Sequence, residues 1–161
     1  MFKIGDKAVY PAQGVVEVKA IEAKEFSGEK KEFYILRIID TDMTIMLPTT
    51  NVDTVGMRCL VDPDHVARVY GILREEKTAN GSLPSWSRRQ KIYQDKIRSG
   101  DLCEVAMVLR ELYFIKEGKD LSYGEKKYLE HARRLVIQEL AYAKGASEKQ
   151  ISEEVEKIFL H

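Results

Sequence analysis

The first sixty residues of the chain carry short runs of β-branched and aromatic residues, separated by polar turn signals. Such runs predict strands rather than helices. The predicted strands are Ala8 to Tyr10, Val15 to Ile21, Glu32 to Ile39 and Thr44 to Leu47. Several short strands joined by tight turns predict a small antiparallel β-barrel of the SH3 or Tudor kind over residues 1–60.

Two features of these sixty residues predict local backbone geometry. The segment Phe26 to Lys30 is expected to form a hairpin turn, because Gly28 can adopt a positive φ angle without steric cost. Pro48 cannot donate a ladder hydrogen bond, so the last strand is expected to end there or to lie at a sheet edge.

The hydrophobic period becomes helical at about residues 60–63, and residues 61–161 are expected to form a separate all-α bundle of about five helices. Helix start signals occur at Asp62-Pro63, Pro84-Ser85, Gly100-Asp101, Leu121 to Glu125 and Ser147 with Gln150. The polar stretch 76–82 is expected to be a loop. The fold class is therefore predicted as α+β in two domains.

Charge and composition restrict the possible functions. Twenty-six basic and 26 acidic residues give a formal net charge of zero, which argues against DNA binding by bulk charge. Cys59 and Cys103 are expected to be reduced thiols, and the three histidines lack metal-ligand spacing. No signal peptide or membrane span is expected, so a cytoplasmic location is predicted.

The chain shows no motif that indicates catalysis. It has no glycine-rich phosphate loop, no zinc-protease motif and no nucleophile elbow. We therefore expect a protein that is not an enzyme and that has no cofactor, metal or small-molecule ligand.

The most informative segment contains Trp86, the only tryptophan, in the first turn of a predicted helix. Residues 85–100 hold five basic side chains and one acidic side chain. At 100° per residue, Arg88, Lys91 and Arg98 lie within about 80° of one another. A basic stripe beside an exposed aromatic ring can contact phosphates and wedge a base step. Because Tyr93 shares a face with Trp86, the pattern alone favours a purely structural role for Trp86 in the bundle core, although its position in the first turn after a polar loop keeps the DNA-contact role open.

The strand Thr44 to Leu47 also has two interpretations. It is more apolar than an exposed edge strand should be. It could pair with a strand of a partner protein, or it could be an ordinary buried strand.

Four motifs, in register along nearly the whole chain, resemble the CarD family, in particular its CdnL subgroup. They are Phe2 to Gly14, Thr44 to Pro48 with Val55 to Arg58, Trp86 to Arg89, and Asp120 to Lys127 with Ala132-Arg133. The first of them also resembles the polymerase-interacting module of the repair factor Mfd.

The resemblance implies a transcription regulator that acts at promoters. Its N-terminal domain would bind the β subunit of bacterial RNA polymerase, and its helical domain would contact promoter DNA at the upstream edge of the −10 element. Trp86 would insert into the minor groove and stabilise the open complex. Arg88, Arg89, Lys91 and Lys126 would contact the phosphate backbone.

The resemblance also implies a polymerase-facing side that includes Lys24, Ile45, Met46 and Pro48. Some relatives carry arginine at the position of Met46, so an apolar contact here would replace a charged one. The protein would associate with the nucleoid through polymerase. The alternative is a Tudor-like protein–protein interaction module that makes no direct DNA contact.

Overall fold

A computed structural model of the chain describes residues 1–76 and 83–160. The chain divides into two compact units, Met1–Leu60 and Val61–His161. Most of the polar stretch expected to be a loop, residues 77–82, lies outside the described residues.

The first unit is a curled, four-stranded antiparallel sheet with the order β1-β2-β3-β4. Its strands are β1 (Lys7–Tyr10), β2 (Gly14–Phe26), β3 (Glu29–Ile38) and β4 (Thr44–Pro48). A 3₁₀ turn (Thr49–Asn51) and a one-turn helix, α1 (Val52–Val55), follow. The predicted Tudor-like architecture is confirmed as a half-barrel, although α1 was not predicted.

Strands β2 and β3 extend beyond their predicted ends into an exposed ribbon. Ser27 and Gly28 have φ angles of 51° and 81°, so both central residues of the turn adopt the positive φ that a type I′ hairpin requires. Residues 22–26 and 29–32 are exposed on both faces of this ribbon. Because they are mostly polar on both faces, the hydrophobic pattern gave no signal for them.

The two edges of the sheet differ. On the β1 side, Val9 exchanges two backbone hydrogen bonds of 2.8 and 3.1 Å with Arg58, which covers that edge. On the other side, β4 pairs with β3 and with no other strand in the described part of the chain. The prediction from Pro48 is confirmed, since β4 ends there and lies at the edge.

The second unit contains five helices within its described residues. They are α2 (Pro63–Arg74), α3 (Trp86–Arg98), α4 (Leu102–Gly118), α5 (Tyr123–Lys144) and α6 (Glu148–Phe159). A side chain caps each N-terminus, as the start signals predict. Ser122 and Ser147 each form a complete capping box.

The predicted hydrophobic stripes of these helices form the bundle core. Leu109 and Leu112 of α4, Val136 and Leu140 of α5, and Ile151 of α6 are fully buried. None of the described helices has the length and apolar character needed to cross a membrane. Cys59 and Cys103 are free thiols.

Candidate functional site

Trp86 is the first residue of α3, and the helix cap fixes its backbone. The Ser85 side chain accepts a hydrogen bond of 3.4 Å from the Arg88 backbone N–H. The indole is partly buried. Its ring makes edge contacts with Tyr93 and Tyr128, at centroid distances of 6.3 and 6.0 Å. The ring is therefore held on one side and accessible on another.

The start of α5 also lies against the indole. A Cβ atom built on Gly124 would lie 2.6 Å from Trp86 Cζ2, closer than carbon atoms approach in proteins. The absence of a side chain at Gly124 thus allows the indole to lie against the α5 backbone. Trp86 shares a face with Tyr93, as the sequence pattern predicts, and its indole is partly buried rather than enclosed in the core.

Arg89 and Glu125 form a second link between the first turns of α3 and α5. Arg89 Nη1 donates a 2.9 Å hydrogen bond to Glu125 Oε2, and the Glu125 side chain is only 1% exposed. Burial alone raises the pKa of the Glu125 carboxyl. Hydrogen bonds from Ser122 and Arg89 outweigh it and bring that pKa to about 2. The pair is therefore ionised at neutral pH.

Arg89 was expected to contact a DNA phosphate, which requires an accessible side chain, but its side chain is buried. Its side chain is 9% exposed, and it also donates to the Pro84 carbonyl at 3.2 Å and to the Tyr93 hydroxyl at 3.4 Å. Four residues separate Arg89 from Tyr93, so both lie on the inner face of α3. Arg89 therefore joins α3 to α5, and its charge is neutralised by Glu125.

The other basic residues expected at this site are exposed. Arg88 and Lys126 are exposed, and neither has an ion pair with a described residue. Lys91 is 79% exposed and lies 3.8 Å from Asp95, a surface pair of little energetic value. These three side chains leave positive charge available to a partner.

The expected polymerase-facing residues lie on β2 and β4. Met46 pairs with Ile35, and Pro48 pairs with Phe33, which pairs in turn with Glu22 of β2. Directly paired residues share a sheet face, so Met46 and Pro48 lie on the face opposite the main core. Met46 is 42% exposed.

Lys24 and Ile45 differ in their relation to that face. Lys24 is two residues beyond Glu22 on β2, so it lies on the same face as Met46, within the exposed ribbon. Ile45 lies on the other face and packs against the barrel core. Strand β4 therefore has one face against the barrel core, as an ordinary buried strand does, and among the described residues its outer edge pairs with no other strand.

Comparisons with known proteins match both units of the chain. The family model described as CarD, C-terminal domain, matches residues 68–156, and the model described as CarD-like/TRCF RID domain matches residues 2–61. The chain belongs to the CarD/CdnL family. This is a family of transcription factors, and the resemblance inferred from the four motifs is confirmed.

Two relatives of this protein illustrate the extent of the match. The putative transcription factor YdeB of Bacillus subtilis (strain 168) is 38% identical over 151 residues, which cover 94% of this chain and 97% of YdeB. The solved structure of CdnLNt from Myxococcus xanthus is 51% identical in sequence to the matched part of this chain. The match covers 38% of this chain and 86% of CdnLNt, with a TM-score of 0.33.

The sequence did not indicate that Gly124 and Tyr128 belong to the Trp86 site. No motif signals them, because their role depends on the packing of α5 against α3. The motif Asp120 to Lys127 did include Gly124, but it did not indicate a contact with Trp86. Among the described residues, no three His, Cys, Asp or Glu side chains group together as a metal site would require.

Proposed function

We propose that this protein binds the β subunit of RNA polymerase through its Tudor-like unit and stabilises the open promoter complex through its helical unit. Trp86 inserts into the minor groove at the upstream edge of the −10 element. The observation that carries the proposal is a partly exposed indole, fixed at a helix start beside exposed Arg88, Lys91 and Lys126. The protein acts in the cytoplasm, on the nucleoid.

A side chain that wedges a base step must resist displacement by the DNA. Apolar and aromatic wedges partly unstack a base step, which costs about a few kcal/mol. The contacts of Trp86 with Tyr93, Tyr128 and Gly124 restrict the indole to one position before DNA arrives. This preorganisation lowers the entropic cost of insertion.

The electrostatics around Trp86 favour a phosphate backbone. The N-terminus of α3 carries the positive end of the helix dipole, and its first turn contains no acidic residue. Arg88 and Lys126 extend this positive region with charges that no described residue neutralises. We assign the phosphate contacts to Arg88, Lys91 and Lys126, and we assign Arg89 to holding α3 against α5.

Polymerase binding would use the unpaired edge of β4. An exposed strand edge offers backbone N–H and C=O groups to a strand of a partner protein. Met46 and Pro48 flank that edge on the side of the sheet opposite the core, and Lys24 lies on the same side in an exposed pair with Glu22, with 3.9 Å between Nζ and Oε2. Ile45 faces the core, so it would contribute through its backbone.

Tethering explains how a neutral protein can act on DNA. With a net charge of zero and only three cations assigned to phosphate contacts, its affinity for free DNA should be weak. Binding to polymerase supplies a high effective concentration at the promoter. A preference of about 1.4 kcal/mol for the open complex then raises its population ratio about tenfold. This role needs binding energy alone and no catalytic group.

The test is the lifetime of the open complex on a ribosomal RNA promoter. Trp86→Ala should shorten the lifetime that the protein confers, while binding to polymerase stays unchanged in a pull-down with purified subunits. Arg88→Glu should also shorten the lifetime, and it should make the lifetime less sensitive to salt concentration, because one phosphate contact is lost. If both variants retained the full lifetime, the wedge would be wrong and an interaction module without DNA contact would be favoured.

A further inference from the structure

Gly124 occupies a position where glycine is not required by its backbone. It is the second residue of α5, and its φ angle is not positive, unlike that of Gly145 at the end of the same helix. Glycine destabilises such a helical position relative to alanine. The reason for glycine must therefore lie in what surrounds it.

The surroundings of Gly124 are the indole of Trp86. The three atoms nearest to a Cβ built on Gly124 are Cζ2, Cη2 and Cε2 of Trp86, at 2.6, 3.3 and 3.4 Å. All three belong to one edge of the ring. A methyl group and the indole cannot both occupy this space, so residue 124 determines where the ring lies.

We propose that Gly124 is a positioning residue for Trp86, and that its missing side chain sets the depth at which the indole lies for insertion into DNA. This inference rests on the proposed function. Gly124 does not touch DNA in this role. It acts together with its neighbour Glu125, whose ion pair with Arg89 fixes the first turn of α3 against the first turn of α5.

The position of Trp86 at the protein surface determines what a methyl group at residue 124 does. Because the indole is only partly buried, it can turn outward without opening the bundle core. The variant Gly124→Ala should therefore remain folded, with the ring displaced from Tyr93 and Tyr128. Since Trp86 is the only tryptophan, its fluorescence reports this displacement directly.

The chain offers a matched control in Gly71. It is a helical glycine of α2, its φ is not positive, and a Cβ built on it meets no atom within 4 Å. Gly71→Ala should raise the melting temperature slightly, as expected from helix propensity, and leave the emission spectrum unchanged. Gly124→Ala should shift the emission to longer wavelength and increase quenching by acrylamide.

The experiment compares the full-length parent, Gly124→Ala, Gly71→Ala and Trp86→Ala. We expect Gly124→Ala to shorten the open-complex lifetime toward that of Trp86→Ala, while Gly71→Ala matches the parent. If the emission spectrum of Gly124→Ala were unchanged, residue 124 would not determine the position of the Trp86 indole, and the inference would be wrong. If Trp86→Ala shortens the open-complex lifetime, but Gly124→Ala shifts the emission and keeps the parent's lifetime, the positioning role would be wrong. If Trp86→Ala also kept the parent's lifetime, the proposed function and the positioning role would both be wrong.

A double variant keeps the inference testable if Gly124→Ala folds poorly. Phenylalanine lacks the outer ring atoms that a Cβ at residue 124 would meet. In a Trp86→Phe background, Gly124→Ala should therefore no longer lower the melting temperature. An equal loss in both backgrounds would overturn the inference, because the effect would then not depend on the indole.

Discussion

Arg89 and Glu125 form a buried ion pair, with 2.9 Å between Nη1 and Oε2, that joins the first turns of α3 and α5. Their side chains are 9% and 1% exposed. The neighbouring Arg88 is exposed and has no ion pair with a described residue. Two consecutive arginines of one motif therefore differ in burial and in ion pairing, and the consequences of this difference can be measured.

Arg89→Ala should lower the stability of the helical unit, whereas Arg88→Ala should not. Removing Arg89 leaves the Glu125 charge buried with fewer partners, which we expect to cost about 3 kcal/mol. Truncation of the exposed Arg88 should change stability by less than about 0.5 kcal/mol. Urea denaturation followed by Trp86 fluorescence measures both values.

The same two variants should differ in the opposite sense at the promoter. Arg88→Ala should reduce the slope of the logarithm of open-complex stability against the logarithm of salt concentration by about 1, as the loss of one phosphate contact does. Arg89→Ala should leave this slope unchanged, and an Arg89→Ala protein as stable as the parent would contradict the structural role of Arg89. A salt slope that is unaffected by Arg88→Ala would remove Arg88 from the phosphate contacts.

The ion pair also marks the limit of what the sequence could predict. The helix starts were predictable, because caps such as Ser122 with Glu125 are local patterns. The exposure of Arg88 and the burial of Arg89 were not, because they depend on which face of α3 meets α5. Gly124 was hidden for the same reason, since its contact with Trp86 joins residues that are far apart in the chain.

The free energy of unfolding of Glu125→Gln should fall less than that of the parent as the pH is lowered. The folded pKa of Glu125 is about 2 and its ordinary value is 4.5, so its stabilising contribution is fully present above pH 4.5. The contribution is lost progressively as the pH falls from 4.5 toward 2. Glutamine does not titrate, so the stability difference between parent and variant should be largest above pH 4.5 and shrink below it.

Urea denaturation at a series of pH values between 2 and 7 measures this difference. Glu130→Gln is a suitable control, because it removes an exposed carboxylate from the same helix. Its free energy of unfolding should stay close to that of the parent. A Glu125→Gln deficit that remained constant down to pH 2 would show that the carboxylate charge does not stabilise the fold.

In the first unit, the sequence predicted the positions of the strands along the chain better than their lengths. The turn at Gly28 and the end of β4 at Pro48 followed from residue types with restricted or special backbone geometry. The exposed ribbon did not, because polar residues on both faces leave no alternation to detect. Whether Met46 or Ile45 faced the core depended on the register with β3, which tertiary packing decides.

The register of β4 leads to a prediction about polymerase binding. Met46 is 42% exposed on the face opposite the core and lies beside the unpaired edge of the sheet. Met46→Asp should weaken binding to the polymerase β subunit by about tenfold, about 1.4 kcal/mol, because a desolvated carboxylate would replace an apolar contact. Surface plasmon resonance with immobilised β subunit measures the affinity.

Met43 provides the matched control, because it is 63% exposed and lies just before β4, outside the paired strand. Met43→Asp makes the same chemical change without altering the proposed contact face, so binding should stay within about twofold of the parent, less than about 0.5 kcal/mol. Equal losses for Met46→Asp and Met43→Asp would indicate a general charge effect. Unchanged binding of Met46→Asp would move the contact away from the exposed face of β4.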